Sequence, residues 1–258
     1  MAAAGSNLAG SIFGQDGVVR RALRTIRSHL WVMMIGVILL IGLPVGSLNW
    51  AASHLTAAVF PGRGLRSALG SLAISTLQSA IQSAAGAWYT AWVTLLLEQD
   101  AKSGGKADPA EAFTQVVRRA WPLVGVAVLM LIGVMLGTIL LVFPALFAMT
   151  VWAVATPALV SENLSPTKAL ARSVELTRGS RGTIFELAML FLLVVLGLQT
   201  LAAKLVTHGE PLKVALATPV MRFVLQPLLQ SLEFLFLSAG VASIYVELVR
   251  LKSGQSQE

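Results

Sequence analysis

From Trp121 to Ser161 the chain runs 41 residues without an aspartate, glutamate, lysine or arginine. A helix rises 1.5 Å per residue, so the run is about 60 Å long, roughly twice the ~30 Å hydrocarbon core of a bilayer. It is too long for one crossing and predicts two, with a turn at Phe143-Pro144, because proline disfavours helix at the residue before it. Strands are a poor alternative. The run lacks period-two alternation, and a transmembrane barrel would show ~10-residue alternating segments.

The remaining hydrophobic blocks extend the pattern. Leu30 to Gly62 is free of the same four residue types, and its densest part, Leu30 to Trp50, predicts a first span. Ser67 to Leu97 is also free of them and predicts a second, less apolar span. Thr183 to about Val206 and Phe223 to about Val249 give the fifth and sixth. The leader before Leu30 and the length of the first run argue against a cleaved signal peptide. Composition agrees. Charged residues make up 12%, about half the ~25% of a soluble domain, and the mean hydropathy is +0.77.

Lysine and arginine set the orientation. With the N-terminus inside, 14 of the 19 fall on the cytoplasmic side and 5 outside, so an even number of crossings with both ends cytoplasmic fits the bias. The net charge of +7 flanks hydrophobic segments and builds no continuous basic face, which argues against nucleic-acid binding. The absence of cysteine excludes disulfides and thiolate metal sites.

Three segments read alike: Asp16 to Arg27, Asp108 to Arg119, and Ser165 to Arg178. Each opens on a helix N-cap residue, two have proline next, and each mixes apolar and basic residues at helical spacing before a hydrophobic span. The expected fold is therefore all-α: a polytopic membrane protein of six transmembrane helices in three hairpins. A cytoplasmic interfacial amphipathic helix precedes each hairpin. Residues 1–258 form one membrane domain of repeat-like units at about 1–100, 101–162 and 163–258. Arg20, Arg21, Arg24, Arg118, Arg119, Arg172 and Arg178 are candidate contacts to lipid headgroups, anionic ones included; the plainer reading, which comes first, is that they are juxtamembrane anchors.

Pro157 to Gly179, with its acidic turn, Ala-Leu-Ala-Arg-Ser helix and Thr-Arg-Gly end, resembles a pattern in prokaryotic multi-pass membrane proteins. These include the family named glycerophosphoryl diester phosphodiesterase membrane domain and related uncharacterised families. Ile244-Tyr245-Val246-Glu247-Leu248-Val249-Arg250 resembles that family's last-helix ending, with Glu247 where aspartate is commoner. The resemblance implies six helices, a bacterial or archaeal cytoplasmic membrane, and no established activity. Three dispersed histidines, His29, His54 and His208, supply no catalytic pair, so no catalytic residue, cofactor site or metal site is assigned.

Within the spans, Gln226, Gln230 and Glu233 lie on one face of the sixth helix, and Ser71, Ser75, Gln78 and Gln82 form a stripe on the second. A charge in the span costs at least ~2.5 kcal/mol, so Glu233 is expected to face protein or water, or to be protonated. The two stripes are expected to face each other or line a cavity, either as interhelical glue or as a polar pathway. Three functions are weighed: a non-enzymatic module of the cytoplasmic membrane that organises lipids or partner proteins, a homo-oligomer included; a small-solute transporter or channel using helices two and six; and, last, an intramembrane enzyme, which needs a nucleophile with a base or clustered metal ligands that do not occur along the chain but could still gather in space. The parallel sense of the three units disfavours the second, since transporters commonly carry inverted repeats.

Overall fold

The computed structural model describes residues 18–59, 64–103, 107–140, 142–207 and 225–255. Every regular element among them is helical, and none is a strand. In chain order they are α1 (Val18–Val37), a π-helical turn (Ile38–Gly42), α2 (Leu43–Val59), α3 (Leu65–Ser103), α4 (Pro109–Arg118), α5 (Ala120–Leu140), α6 (Val142–Val151), α7 (Ala155–Ser161), α8 (Pro166–Leu176), α9 (Arg181–Thr207) and α10 (Gln226–Gln255).

Five segments among the described residues are long and apolar enough to cross a membrane: His29–Ala52, Ala120–Gly137, Pro144–Ser161, Arg181–Ala202 and Gln226–Ser253. They coincide with five of the six expected spans. The remaining one, the second expected span at Ser67 to Leu97, lies within α3, a single 39-residue helix whose serines and glutamines lower its hydropathy and which is not in this group.

Local chemistry explains the irregular points. Pro44 has no N–H to donate and its ring crowds the carbonyl one turn earlier. The chain accommodates it with the widened turn just before, where the Leu43 N–H reaches back five residues to the Ile38 carbonyl. The backbone leaves helical geometry at His29 (φ −116°, ψ 19°) and again at Arg119 (φ −111°, ψ 21°). Both breaks stand where a basic segment gives way to a hydrophobic one. The third such junction, between α8 and α9, turns through Gly179 at φ 94°, a conformation that glycine adopts without a Cβ clash. Phe143 and Pro144, the expected turn, instead lie in the first turn of α6, and the link from α5 at residue 141 falls outside the described residues. The backbones of α5 and α6 approach so closely that a Cβ on Gly137 would stand 2.8 Å from the Ala145 nitrogen.

The second half of α3 is the axis of the core. Residues 91–97 are all buried, against α1, α5, α7 and α10. Tyr89 and Leu96 are fully enclosed there together with Met33, Val37, Ile41, Leu123, Leu159 and Leu235, and the Tyr89 hydroxyl donates to the Met33 carbonyl at 3.2 Å. In lipid the apolar surface of a helix gains little by meeting another helix, so close approach of small residues does the work. Gly36 opposes the Trp92 ring, Gly133 the Trp152 ring and Gly86 the Phe234 ring; a Cβ at each would come within 2.2, 2.2 and 2.6 Å. Trp92 therefore belongs to the core, with its indole N–H donated to the Pro109 carbonyl at 2.9 Å. Trp31 and Trp121, at 80% and 85% exposed, have the placement expected of interfacial tryptophans.

Candidate functional site

Two polar constellations are built into this apolar scaffold. The first forms at the end carrying the α7–α8 turn. After α7 ends, Asn163 takes a left-handed conformation (φ 57°), which asparagine tolerates better than most residues, and Ser165-Pro166 opens α8. This tight reversal brings the Glu162 carboxylate against the side of α8. Arg172 Nε donates to both Glu162 oxygens at 3.0 and 2.9 Å, and its Nη1 donates to Glu175 Oε2 at 2.9 Å. Burial takes water from the guanidinium and would lower its pKa, but the two carboxylates outweigh this and hold it above the ordinary arginine value.

The last helix closes the cluster. Tyr245 Oη donates to Glu162 Oε1 at 3.2 Å, and Lys252 Nζ donates to the backbone carbonyl of Glu175. The Pro157–Gly179 pattern and the Ile244–Arg250 pattern, 83 residues apart at the Glu162–Tyr245 contact, are thus two faces of one clamp. Ser173 Oγ, donating to the Val151 carbonyl at 2.8 Å, fixes α8 to the bend between α6 and α7. Glu247, also in the second pattern, is buried.

The basic candidates divide accordingly. Arg172 is engaged by the two glutamates. Arg119 Nη1 donates to the Leu159 and Val160 carbonyls at 3.3 and 2.8 Å, capping the end of α7. Arg118 and Arg178 are exposed. The side chains of Arg20, Arg21 and Arg24 lie outside the described residues. α4 buries Ala112 and Val116 and exposes Glu111 and Arg118, while α8 buries Ala169, Ser173 and Leu176 and exposes Lys168. The Asp108 carboxylate caps α4 through the Ala110 N–H at 2.9 Å; the Ser165 hydroxyl makes no such bond to α8.

The second constellation lies within the spans. Glu233 Oε1 accepts from Gln199 Nε2 of α9 at 2.9 Å. Its partner is thus on the fifth expected span and not in the α3 stripe. That stripe is largely satisfied locally: Ser71 Oγ donates to the Ser67 carbonyl at 2.8 Å and Ser75 Oγ to the Leu72 carbonyl at 2.9 Å. Gln78, Gln82 and Gln226 are half-buried. Where α3 and α10 do meet, the seam is made by Gly86 against Phe234 and a Thr90–Ser238 hydroxyl pair at 2.9 Å. Gln230 places its amide oxygen in a buried position with no hydrogen-bond partner.

Sequence reasoning passed over Gln199, although one amide in the leucine-rich run 187–201 was a visible signal. It also passed over the pairing of His29 Nε2 with Asp100 Oδ1 at 3.2 Å, both nearly buried. This pair ties the α1 break to the end of α3, and the same Asp100 oxygen accepts the Ala107 N–H at 3.3 Å. Among the described residues no three acidic, histidine or cysteine side chains gather in a way that could hold a metal ion. No family model matches the chain, and neither the curated proteins nor the solved structures contain a significant match.

Proposed function

We propose that this protein is a six-crossing resident of a prokaryotic cytoplasmic membrane, with both termini in the cytoplasm. In this reading it has no enzymatic role and organises lipids or partner membrane proteins. One observation carries the reading: the most apolar surface is turned outward. Only 6% of Arg181–Ala202 and 17% of Ala120–Gly137 is buried. Leu190, Leu193, Leu196, Leu198 and Leu201 of α9 are all at least half exposed, which in water would be an aggregating patch and in a bilayer is a lipid contact.

The second crossing falls to α3. Its 39 residues span about 58 Å, ample for the hydrocarbon core even when tilted. The basic segments before α3's neighbours then lie together on the cytoplasmic side, where each exposed arginine near an anionic surface contributes about 1 kcal/mol of attraction. Arg118 and Arg178 are the described candidates, joined by Arg20, Arg21 and Arg24; Arg119 and Arg172 face inward to carbonyls and carboxylates. The resemblance of Pro157–Gly179 and Ile244–Arg250 to the membrane-domain family supports the same layout. The transporter reading loses support because the Ser71 and Ser75 hydroxyls of α3 turn back to their own helix.

The native chain has no cysteine, so single substitutions report topology cleanly. Ser103→Cys and Ser253→Cys should be shielded from a membrane-impermeant maleimide in intact cells, while Arg66→Cys and Lys204→Cys should react. Labelling of all four from one side would reject the layout. For the lipid role, Arg118→Gln with Arg178→Gln should weaken retention of an anionic phospholipid over a zwitterionic one; unchanged retention would leave these arginines as anchors only.

A further inference from the structure

We propose that Glu233, Gln230 and Gln199 together bind a primary ammonium group, presented by an aminophospholipid headgroup or by a free amine. The argument starts from an imbalance of donors and acceptors. Glu233 brings a charge into an apolar span. Among the described residues, no ion pair joins Glu233 to a basic side chain. Its one hydrogen bond is from a neutral amide. One turn earlier on the same helix, the Gln230 oxygen is buried without a donor. A buried acceptor left unsatisfied keeps the full penalty of losing its water. Among the described residues the site is therefore short of N–H donors and of a positive charge. A primary ammonium supplies three donors, that charge, and no acceptor of its own.

Position selects the same ligand. Glu233 is 17 residues from Arg250 along α10, and Gln199 is 18 from Arg181 along α9. At 1.5 Å per residue both stand about 26 Å from the basic ends of their helices. In a hydrocarbon layer of ~30 Å this places both in the outer half, on the side of the opposite boundary. The placement rests on the orientation proposed above. The contact between the two helices is also open sideways. α9 packs mainly against α6 and touches α10 sparsely. Gln199 and Glu233 are both half-buried, and the neighbouring Leu196, Leu232 and Phe236 are exposed to whatever fills the bilayer. An acyl chain covers such a flank while its amine meets the carboxylate.

The test uses the full-length protein, purified in detergent, and native mass spectrometry with phosphatidylethanolamine and phosphatidylcholine of identical acyl chains. The wild type should retain the ethanolamine lipid about tenfold better, since charge-assisted N–H bonds are lost on full methylation. E233Q should bring the ratio close to one, while E186Q, an exposed carboxylate elsewhere on α9, should leave it unchanged. Equal retention by the wild type, or a preference that survives E233Q, overturns the proposal. Should E233Q fail to fold, the wild type alone decides: stepwise N-methylation of the headgroup should lower retention stepwise, and a flat series overturns it. Free ethanolamine that raises the melting temperature of delipidated protein, where choline and sodium do not, assigns the site to a soluble amine; an effect of the lipid alone assigns it to the headgroup. A sodium effect equal to that of ethanolamine overturns the proposal. The cysteine topology map is read independently, so a wrong orientation and an empty site give different results.

Discussion

Pro144–Ser161 and Arg181–Ala202 are both apolar enough to cross a bilayer, yet 56% of the first is buried and 6% of the second. The more leucine-rich segment is the barer one. Arg181–Ala202 contains seven leucines, whereas Pro144–Ser161 contains five alanines, two threonines and a serine. In water the greasier segment would be the core. In lipid, leucine is as well solvated outside as inside, and the interior goes to residues that let backbones approach and to hydroxyls that find a carbonyl. Thr150 and Thr156 are buried accordingly, and Gly133 and Gly137 admit Trp152 and the Ala145 backbone.

This contrast can be broken in graded ways. The largest effect is expected from Gly137→Val. Its Cβ would meet backbone atoms of Ala145 that have no rotamer to escape into, so the α5–α6 hairpin must open at a cost of about 3 kcal/mol. Thermal unfolding in detergent should show a large drop or no monodisperse protein; a wild-type melting curve would show that the two helices are not closely packed. Leu159→Ala, at a fully buried site, should cost about 2–4 kcal/mol. Breaking the clamp with Glu162→Gln should cost about 1.5–3 kcal/mol, because it weakens a charge-assisted pair whose partners are still about 30% exposed. A double-mutant cycle with Arg172→Gln isolates the pair, and zero coupling would assign the stability to packing alone. Leu193→Ala, 66% exposed on α9, should change stability by less than about 0.5 kcal/mol. A loss there as large as at Leu159 would mean that a second chain covers α9.

The helices themselves were legible because long charge-free runs leave few alternatives once the backbone must satisfy itself. The starts at Pro109 and Pro166 were legible for equally local reasons. Partners were not. Hydropathy marks α9 as a span but says nothing about whether Ala155 or Leu193 looks inward. Trp92 reads like any tryptophan near a helix end until Gly36 is seen opposite it. Glu233 could be singled out as costly, but the amide that answers it sits 34 residues away on another helix. The two terminal-unit patterns were each visible, while their contact through Tyr245 and Glu162 is a property of the third dimension.

That contact also fixes an order of events during synthesis. Tyr245 and Lys252 emerge from the ribosome after Glu162, Arg172 and Glu175 have already been made. Until the final helix inserts, the α7–α8 reversal holds only its own ion pairs, and the hydroxyl and ammonium that complete it are still to come. The chain's last helix is thus the closing piece of its middle, and a nascent protein halted before residue 245 should present this region to quality-control proteases in a loosened form.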